Sequence, residues 1–256
     1  MTRPGTTDGG AAPASQAILA MTGMELRLAL RRGETLVATA VLPVVVLVFF
    51  SSVSIIPVDA DRPVDFLLPG SIAFAIIATS LVSLGITTAY DRYYGVLKRL
   101  GGSPLSRAEL IAAKILAVLV VEAVQVAALV GAASVLLGWS APPGSSFGLL
   151  VVAVLLGTLA FAGVGLLLAG TLRAETMLAV ANILFVASLI LGGVVMPISH
   201  LPAPLAAVAG ALPAAALSDA LRIALGGSGD AAGSLALLAG WGVTSVGLAM
   251  ATFRWE

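Results

Sequence analysis

The feature that most constrains this chain is the length of its uncharged apolar stretches. Five runs of more than 20 residues contain no Asp, Glu, Lys or Arg, whereas about 18 to 20 apolar residues in a helix suffice to cross a bilayer. The mean hydropathy is +1.10 over 256 residues, far above the value typical of soluble domains. The sequence therefore predicts an integral membrane protein.

Six helices are predicted to cross the membrane. In hydrocarbon every backbone N–H and C=O group needs an internal partner, and an α-helix supplies these partners within one segment. The predicted fold class is therefore all-α, with six transmembrane helices. They cover residues 35–56, 66–89, 111–137, 147–171, 177–196 and 231–253.

The distribution of basic residues predicts the orientation. With six spans both termini lie on one side, which then holds eleven of the thirteen Lys and Arg residues, while Arg62 and Arg222 lie on the other. Because positive residues are retained in the cytoplasm, both termini are predicted to be cytoplasmic in the plasma (inner) membrane. Residues 1–15 are predicted to form a disordered cytoplasmic tail, residues 16–34 an interfacial helix, and residues 35–256 the six-span domain.

The uncharged stretch 176–218 is too long for one span. Four prolines interrupt its second half and divide the region into two pieces, about 198–210 and 214–225. At 1.5 Å per residue each piece is about 20 Å long, which is shorter than the ~30 Å hydrocarbon core. A pair of short re-entrant helices on the outer side is therefore predicted between spans five and six. An apolar external loop packed on the bundle is the alternative.

A charged loop, YDRYYGVLKRLGGSPLSRAELIAAK (residues 90–114), joins the second and third spans and holds five of the thirteen basic residues. A short amphipathic helix is predicted over 91–102, ended by glycines and a proline, and Ser106 and Glu109 have the spacing of a capping box. The predicted apolar face consists of Tyr93, Val96, Leu97 and Leu100. Such a helix either lies on anionic headgroups or docks another cytoplasmic protein.

This loop resembles the first cytoplasmic loop of ABC-2-type exporter permeases. In that family an acidic residue and an Arg are followed by a Gly, a Leu-basic-basic-Leu core and a Thr/Ser-Pro-Leu-Ser-Arg turn that leads into the third span. The matching residues here are Asp91, Arg92, Gly95, Leu97, Lys98, Arg99, Leu100, Ser103, Pro104, Leu105, Ser106 and Arg107.

A second hallmark of the same family follows the fifth span. It combines a Gly-rich exit, a Pro, a Leu-Pro pair, a further Pro and an Arg. The re-entrant motif in this sequence consists of Gly192, Gly193, Pro197, Leu201, Pro202, Pro213 and Arg222. With both hallmarks in order, the chain resembles ABC-2-type permeases over nearly its full length, and most closely the daunorubicin-resistance type of drug or lipid exporter.

The resemblance implies how the chain works. Such permeases form dimers, with a second copy or a sister permease, and bind separate ATP-hydrolysing subunits from the cytoplasm. The helix after span two, called the coupling helix, sits in a groove of the ATPase. The residues implied in this coupling are Asp91, Arg92, Tyr93, Gly95, Val96, Leu97, Lys98, Arg99 and Leu100, with Ser103, Pro104 and Arg107 in the turn that follows.

The chain is predicted not to be an enzyme. A P-loop needs Gly-Lys-Ser/Thr, but its two lysines, Lys98 and Lys114, follow Leu97 and Ala113. ATP and Mg²⁺ are therefore expected on a partner chain, and no cofactor is expected on this one. With no Cys and a single His, His200, no metal site is expected either. An intramembrane hydrolase is disfavoured because no Gly-x-Ser-x-Gly elbow is present.

Three polar residues within the spans, Glu122, Gln125 and Asn182, could line a translocation pathway. An intramembrane carboxylate such as that of Glu122 is costly and is a functional hypothesis by default. A proton-coupled carrier that uses Glu122 is thus an alternative to an ATP-driven exporter, and so is a permease for polysaccharides or glycolipids. Hydrogen bonding between neighbouring helices is the structural interpretation of these residues. An amphipathic or hydrophobic substrate is expected, with membrane lipid and no nucleic acid among the partners.

Overall fold

The computed structural model describes residues 13–31, 33–53, 62–194 and 197–253, without the side chains of 33–39 and 199. The described residues form α-helices, one π-helical segment (Ile77–Ser83) and one 3₁₀ turn (Ile198–His200), and they contain no strand. The helices are α1 (Ala14–Arg31), α2 (Gly33–Ser52), α3 (Pro63–Ile76), α4 (Leu84–Tyr93), α5 (Val96–Gly101), α6 (Arg107–Leu136), α7 (Phe147–Thr171), α8 (Ala174–Leu191), α9 (Ala203–Gly210), α10 (Pro213–Ala224) and α11 (Ala232–Thr252).

Five helices are long and apolar enough to cross a membrane. They are the continuous helix Pro63–Tyr93, which joins α3, the π-helical segment and α4, together with α6, α7, α8 and α11. The first predicted span corresponds to α2, in which Ala40–Ser52 is a shorter apolar helix. The all-α integral membrane fold predicted from the sequence is confirmed.

The N-terminal region differs from its predicted division. Helix α1 begins at Ala14 and ends at Arg31, and α2 begins at Gly33. The stretch 16–34, predicted as one interfacial helix, therefore includes the start of the next helix, and the last residues of the predicted tail are helical. Residues 1–12 of that tail lie outside the described residues.

Helix α8 is shorter at its end than the fifth predicted span, 177–196. It ends at Leu191, and Gly193 then adopts a φ of +66°. Glycine reaches this left-handed conformation without the steric cost that a Cβ atom adds, and it commonly ends a helix. The fourth predicted span matches α7 at both ends.

Helix α7 lies at the centre of the bundle, in contact with α11, α10, α4 and the π-helical segment. Glycines allow this close packing. A Cβ atom on Gly163 would lie 2.1 Å from Ser245 Oγ of α11, and one on Gly165 would lie 2.9 Å from the Ser80 carbonyl oxygen. Helices approach this closely in membranes where small residues face each other.

The π-helical segment lies where the second span crosses Gly165 of α7. Within it the Ser80 hydroxyl donates to the carbonyl oxygen of Ile76 (2.5 Å), and the Thr79 hydroxyl donates to Gln125 Oε1 of α6 (3.1 Å). A π-helical turn changes the direction of the side chains that follow it, and such turns are frequent at functional sites. The segment thus links the second span to both α6 and α7.

Two short helices between α8 and α11 match the predicted pair. Helices α9 and α10 meet at an angle of 78°, and Pro213 is the first residue of α10, a position where its missing N–H group costs nothing. Helix α10 is largely buried against α3, α7 and α11. This geometry fits a re-entrant pair or one broken span.

Candidate functional site

The loop after the second span contains two helical pieces rather than the single helix predicted over 91–102. Helix α4 ends at Tyr93, Gly95 adopts a φ of +71°, and α5 begins at Val96. The left-handed Gly95 stops one helix and redirects the chain into the next. Asp91, Arg92 and Tyr93 therefore belong to the last turn of the membrane helix and not to the short helix that follows.

The predicted apolar face of this loop does not exist as one surface. Leu97 is only 1% exposed and packs in a cluster with Met21 of α1, Leu110 and Ala113 of α6, and Phe253. Leu100 packs at the edge of the same cluster. The break at Gly95 rotates α5 relative to α4, so the leucines point into the protein while Tyr93 points out. The prediction that Tyr93, Val96, Leu97 and Leu100 share one face is wrong.

The outward surface of this loop is aromatic and basic. Tyr93 and Tyr94 are 66% and 68% exposed, Val96 is 41% exposed, and Lys98 and Arg99 are also exposed. The rings of Tyr93 and Tyr94 lie 5.1 Å apart between centroids and contact the ring of Tyr90. We call the surface formed by Tyr93, Tyr94, Val96, Lys98 and Arg99 the tyrosine face.

Hydrogen bonds shape the turn between the tyrosine face and α6. The Ser103 hydroxyl donates to the carbonyl oxygen of Leu100 (2.5 Å), and Pro104 and Arg107 are exposed. The predicted capping box is confirmed: the Glu109 N–H donates to Ser106 Oγ (3.2 Å) and the Ser106 N–H donates to Glu109 Oε2 (2.7 Å). These bonds hold the end of α5 and the start of α6 in defined positions.

A charged cluster lies behind this loop. Lys114 Nζ of α6 lies 2.7 Å from Glu25 Oε1 of α1 and 3.2 Å from Asp91 Oδ2 of α4. The Lys114 side chain is 1% exposed, and the two carboxylate side chains are 19% and 20% exposed. Arg92, next to Asp91, donates from Nη2 to the carbonyl oxygen of Leu172 between α7 and α8. We call Lys114, Glu25 and Asp91 the inner ion cluster.

The sequence places Lys114 at the end of the charged loop and the start of the third predicted span, and it suggested no role for Glu25. The available signal was a lysine within an apolar helix, which needs an acidic partner if it is buried. The partner lies 89 residues away in α1, and no spacing rule connects the two positions.

The intramembrane residues proposed for a pathway divide into two kinds. Glu122 and Gln125 lie inside the bundle, where Glu122 Oε2 accepts from the Thr158 hydroxyl of α7 and Gln125 accepts from Thr79. The other oxygen of Glu122, Oε1, has no hydrogen-bond partner among the described residues. Asn182 lies on the exposed surface of α8, and its Nδ2 donates to the carbonyl oxygen of Leu178 in its own helix (2.7 Å). The structure thus does not bring the three residues together.

Two residues of the re-entrant motif, here also called the outer motif, line a cavity of about 530 Å³: Pro197 and Arg222. Arg222 Nη2 donates to the carbonyl oxygen of Gly193, and its guanidinium carbon lies 4.3 Å above the ring centroid of Phe66. Pro197 lines this cavity, while Pro202 is exposed at the start of α9. The motif therefore joins the end of α8 to α10 through the contact of Arg222 with Gly193.

Comparison with known proteins assigns this architecture. No curated protein matches the chain. The family model of the ABC-2 type transporter matches residues 16–225, a range from α1 through α10 that includes the tyrosine face, the inner ion cluster and the outer motif. Together with the membrane-spanning helices, this match identifies a multi-pass transmembrane permease subunit. The chain belongs to the ABC-2 type transporter family.

Proposed function

We propose that this permease exports an amphipathic or hydrophobic substrate, drug or lipid, using ATP hydrolysed by a separate subunit that docks on the tyrosine face. The observation that carries this proposal is the division of the family loop into two surfaces. Leu97 fixes α5 to the body of the protein, while Tyr93 and Tyr94 extend into solvent between basic residues. Exposed tyrosines beside basic side chains are typical of residues that dominate protein–protein interfaces.

The chemistry of the tyrosine face defines its partner. Lys98 and Arg99 make the face positive, so a matching groove has an acidic rim and an apolar floor for the two rings. The adjacent helix α4 continues directly into the second span. A groove that moves these rings on closing around ATP would therefore move the second span as well.

Replacement of the two tyrosines tests the docking site. The affinity-tagged chain is co-expressed with the Walker A ATPase of its genomic neighbourhood, and the ATPase that co-purifies is quantified. A tyrosine at the centre of an interface contributes about 2 kcal/mol, or about 30-fold in Kd, so Tyr93→Asp combined with Tyr94→Asp should remove nearly all of the ATPase. Ser140→Asp, which adds a charge at an exposed position outside this loop, is the control and should retain it. Undiminished capture by the double variant would contradict the docking site.

A second permease copy, or a sister permease, is proposed to cover the outer surface of α8. This surface exposes Leu178, Ile183, Val186 and Ile190 around Asn182. An amide in the middle of a lipid-facing helix lacks partners outside its own helix, whereas an equivalent Asn on another copy offers both a donor and an acceptor. Asn182→Leu should increase the monomer fraction in detergent by a few-fold, since interhelical hydrogen bonds average about 0.6 kcal/mol.

The direction and the membrane are part of the same proposal. The topology predicted from the sequence assigns eleven of the thirteen basic residues to the side of the tyrosine face, and this bias supports cytoplasmic termini in a plasma membrane and outward transport. Vesicles that contain the permease and its ATPase are assayed with two probes, daunorubicin and a fluorescently labelled phosphatidylethanolamine. Preference between the two probes decides whether the daunorubicin-resistance branch applies. Transport of a glycolipid, with transport of neither probe, would favour the permease for polysaccharides or glycolipids.

Proton-coupled transport through Glu122 is the second candidate function. The observation that favours it is the buried carboxylate oxygen Oε1, which has no partner among the described residues. Transport of either probe driven by a pH gradient in vesicles without the ATPase would support this candidate over the ATP-driven exporter.

A further inference from the structure

At the cytoplasmic end the described helices fall into two packing groups. Helix α1 packs along α6, and we call these two helices the inner group. Helix α4 packs against α5, α7 and α8, and we call α4 and α5, which carry the tyrosine face, the docking group. Within the described chain, α4 has no extensive packing against either α1 or α6. Movement of one group therefore reaches the other through the contacts that join them directly and through α7, which packs against both α4 and α6.

Two contacts between these groups lie at the level of the loop, and deeper in the bundle Leu84 of α4 shares an apolar cluster with Ile111, Ile115 and Val118 of α6. The first is the apolar cluster in which Leu97 of the docking group packs against Met21, Leu110 and Ala113 of the inner group. The second is the ion pair between Asp91 of the docking group and Lys114 of the inner group (3.2 Å). Lys114 also pairs with Glu25 of α1 (2.7 Å), so one amine joins three helices that lie apart in the sequence.

A cavity of about 90 Å³ lies between α1, the second span and α6 at this level. Its wall includes all three residues of the inner ion cluster and the hydroxyl side chains of Ser83 and Thr87. Side chains do not fill this space, although Leu84 on its wall belongs to an apolar cluster with Ile111 and Ile115 of α6. The inner ion cluster spans this gap.

An amine this deeply buried is poorly explained by stability alone. Removing an ion from water is costly, and apolar residues of similar size often replace a buried ion cluster without loss of stability. What an ion cluster adds is geometric: it is satisfied in one arrangement of its helices and unsatisfied when they separate. Lys114 therefore suits a position where three helices must keep their relative placement.

We propose that Lys114 is a positioning residue that makes the inner group move together with the docking group when the ATPase acts on the tyrosine face. This role in coupling rests on the proposed function, but the underlying joint is a property of the permease itself. At the level of the loop Asp91 passes the movement of the second span to the third, in addition to the deeper hydrogen bond between Thr79 and Gln125. Glu25 passes it to α1.

Spin-label distances in the permease test the joint without any substrate. The sequence has no cysteine, so Leu30→Cys on α1 and Glu175→Cys at the start of α8, both exposed, give one labelled pair between the inner group and a helix that packs against α4 of the docking group. In nanodiscs, Lys114→Met should broaden the distance distribution about twofold or add a second population. Lys114→Arg, which keeps the charge, should restore a single narrow distribution. An unchanged distribution in Lys114→Met would overturn the proposal.

The complex with the ATPase tests the coupling. With nucleotide and vanadate, the labelled pair should keep its distance in the unmodified chain and change it in Lys114→Met. ATPase capture should stay within about twofold of the unmodified chain, while substrate moved per ATP, with daunorubicin as the probe, should fall about tenfold or more. If ATPase capture by Lys114→Met instead falls in parallel with the amount of folded permease, Lys114 has a purely structural role, and the proposal is overturned.

Two further outcomes keep the test decisive. If Lys114→Met does not fold, Asp91→Asn removes the ion pair that joins the two groups, and its distance distribution must broaden for the proposal to stand. If the unmodified chain captures no ATPase, the proposed function fails together with the coupling role, whereas the label pair in the isolated permease still shows whether Lys114 joins the two groups.

Discussion

The two ends of the bundle hold their buried cations in different ways. The end of the bundle that carries the tyrosine face is called the inner end here. There the amine of Lys114 lies 2.7 Å from a carboxylate oxygen of Glu25 and 3.2 Å from one of Asp91, on two other helices. At the outer end Arg222 donates to a backbone carbonyl and lies over the ring of Phe66 (4.3 Å), and the nearby Asp219 accepts from Ser234 (2.5 Å). The inner cation is bound by full charges on separate helices, and the outer cation mainly by neutral groups.

This difference favours a rigid inner end and a more adaptable outer end. Two opposite charges in a buried site lose much of their attraction when they separate, whereas a carbonyl or an aromatic ring can be replaced by water or by another group at lower cost. This arrangement suits the proposed exporter, in which force enters at the inner end and substrate leaves at the outer end.

The largest effect is expected for Leu97→Asp at the inner end. It places an unpaired carboxylate in the cluster of Met21, Leu110 and Phe253, which should lower the free energy of unfolding by about 4 kcal/mol or more. Thermal unfolding in detergent, followed by size-exclusion chromatography, measures the change. Tyr94→Asp at the exposed surface of the same loop should lower it by less than about 1 kcal/mol. Equal destabilisation by the two variants would contradict the inward orientation of α5.

Loss of the inner cation is expected to have the next largest effect. Lys114→Met leaves Glu25 and Asp91 without this amine, which should cost about 3 kcal/mol, the lower part of the range for broken buried ion pairs, because both carboxylates keep some exposure. The free energy of unfolding in mixed micelles gives the value. Lys98→Met, which removes an exposed lysine of the tyrosine face, is the control and should change stability by less than about 0.5 kcal/mol.

A smaller effect is expected at the outer end. Arg222→Met keeps much of the apolar contact with Phe66 and loses one hydrogen bond and the cation–π attraction, so the cost should be about 1 to 2 kcal/mol. If the inner end is the more tightly held, Arg222→Met must lower the free energy of unfolding by less than Lys114→Met does under the same conditions. The reverse order would place the tightly held end of the molecule on the outer side.

Much of the fold could be predicted from local sequence signals. Uncharged length predicts the membrane helices, and the spacing of Ser106 and Glu109 predicts a capping box because both partners lie within one helical turn. Prolines predict the two short helices before α11, since their missing N–H groups confine them to helix starts and connections. Each of these signals acts over a few residues, so one sequence suffices.

The errors arose where one backbone angle or one distant contact decides the outcome. A helical wheel assumes a continuous helix. The left-handed conformation of Gly95 interrupts the helix, so Leu97 turns inward. The glycine was visible in the sequence, but glycine also occurs within helices at a modest cost. The pairing of Lys114 with Glu25 depends on how α1 crosses α6, which local propensity does not determine.

The smallest effect on stability is expected midway between the two ends, at Glu122. Glu122→Gln keeps an oxygen that can accept from the Thr158 hydroxyl, so the free energy of unfolding should change by less than about 1 kcal/mol. In an ATP-driven exporter with its rigid joint at the inner end, this variant should retain ATPase capture and most of its transport of daunorubicin in vesicles. Gln125→Glu, on the same helix, is the matched reverse change, and it should be the more destabilising because it buries a second carboxylate. Loss of transport in Glu122→Gln with normal folding would instead place the functional centre in the middle of the bundle, because only a proton carrier needs a group that titrates there.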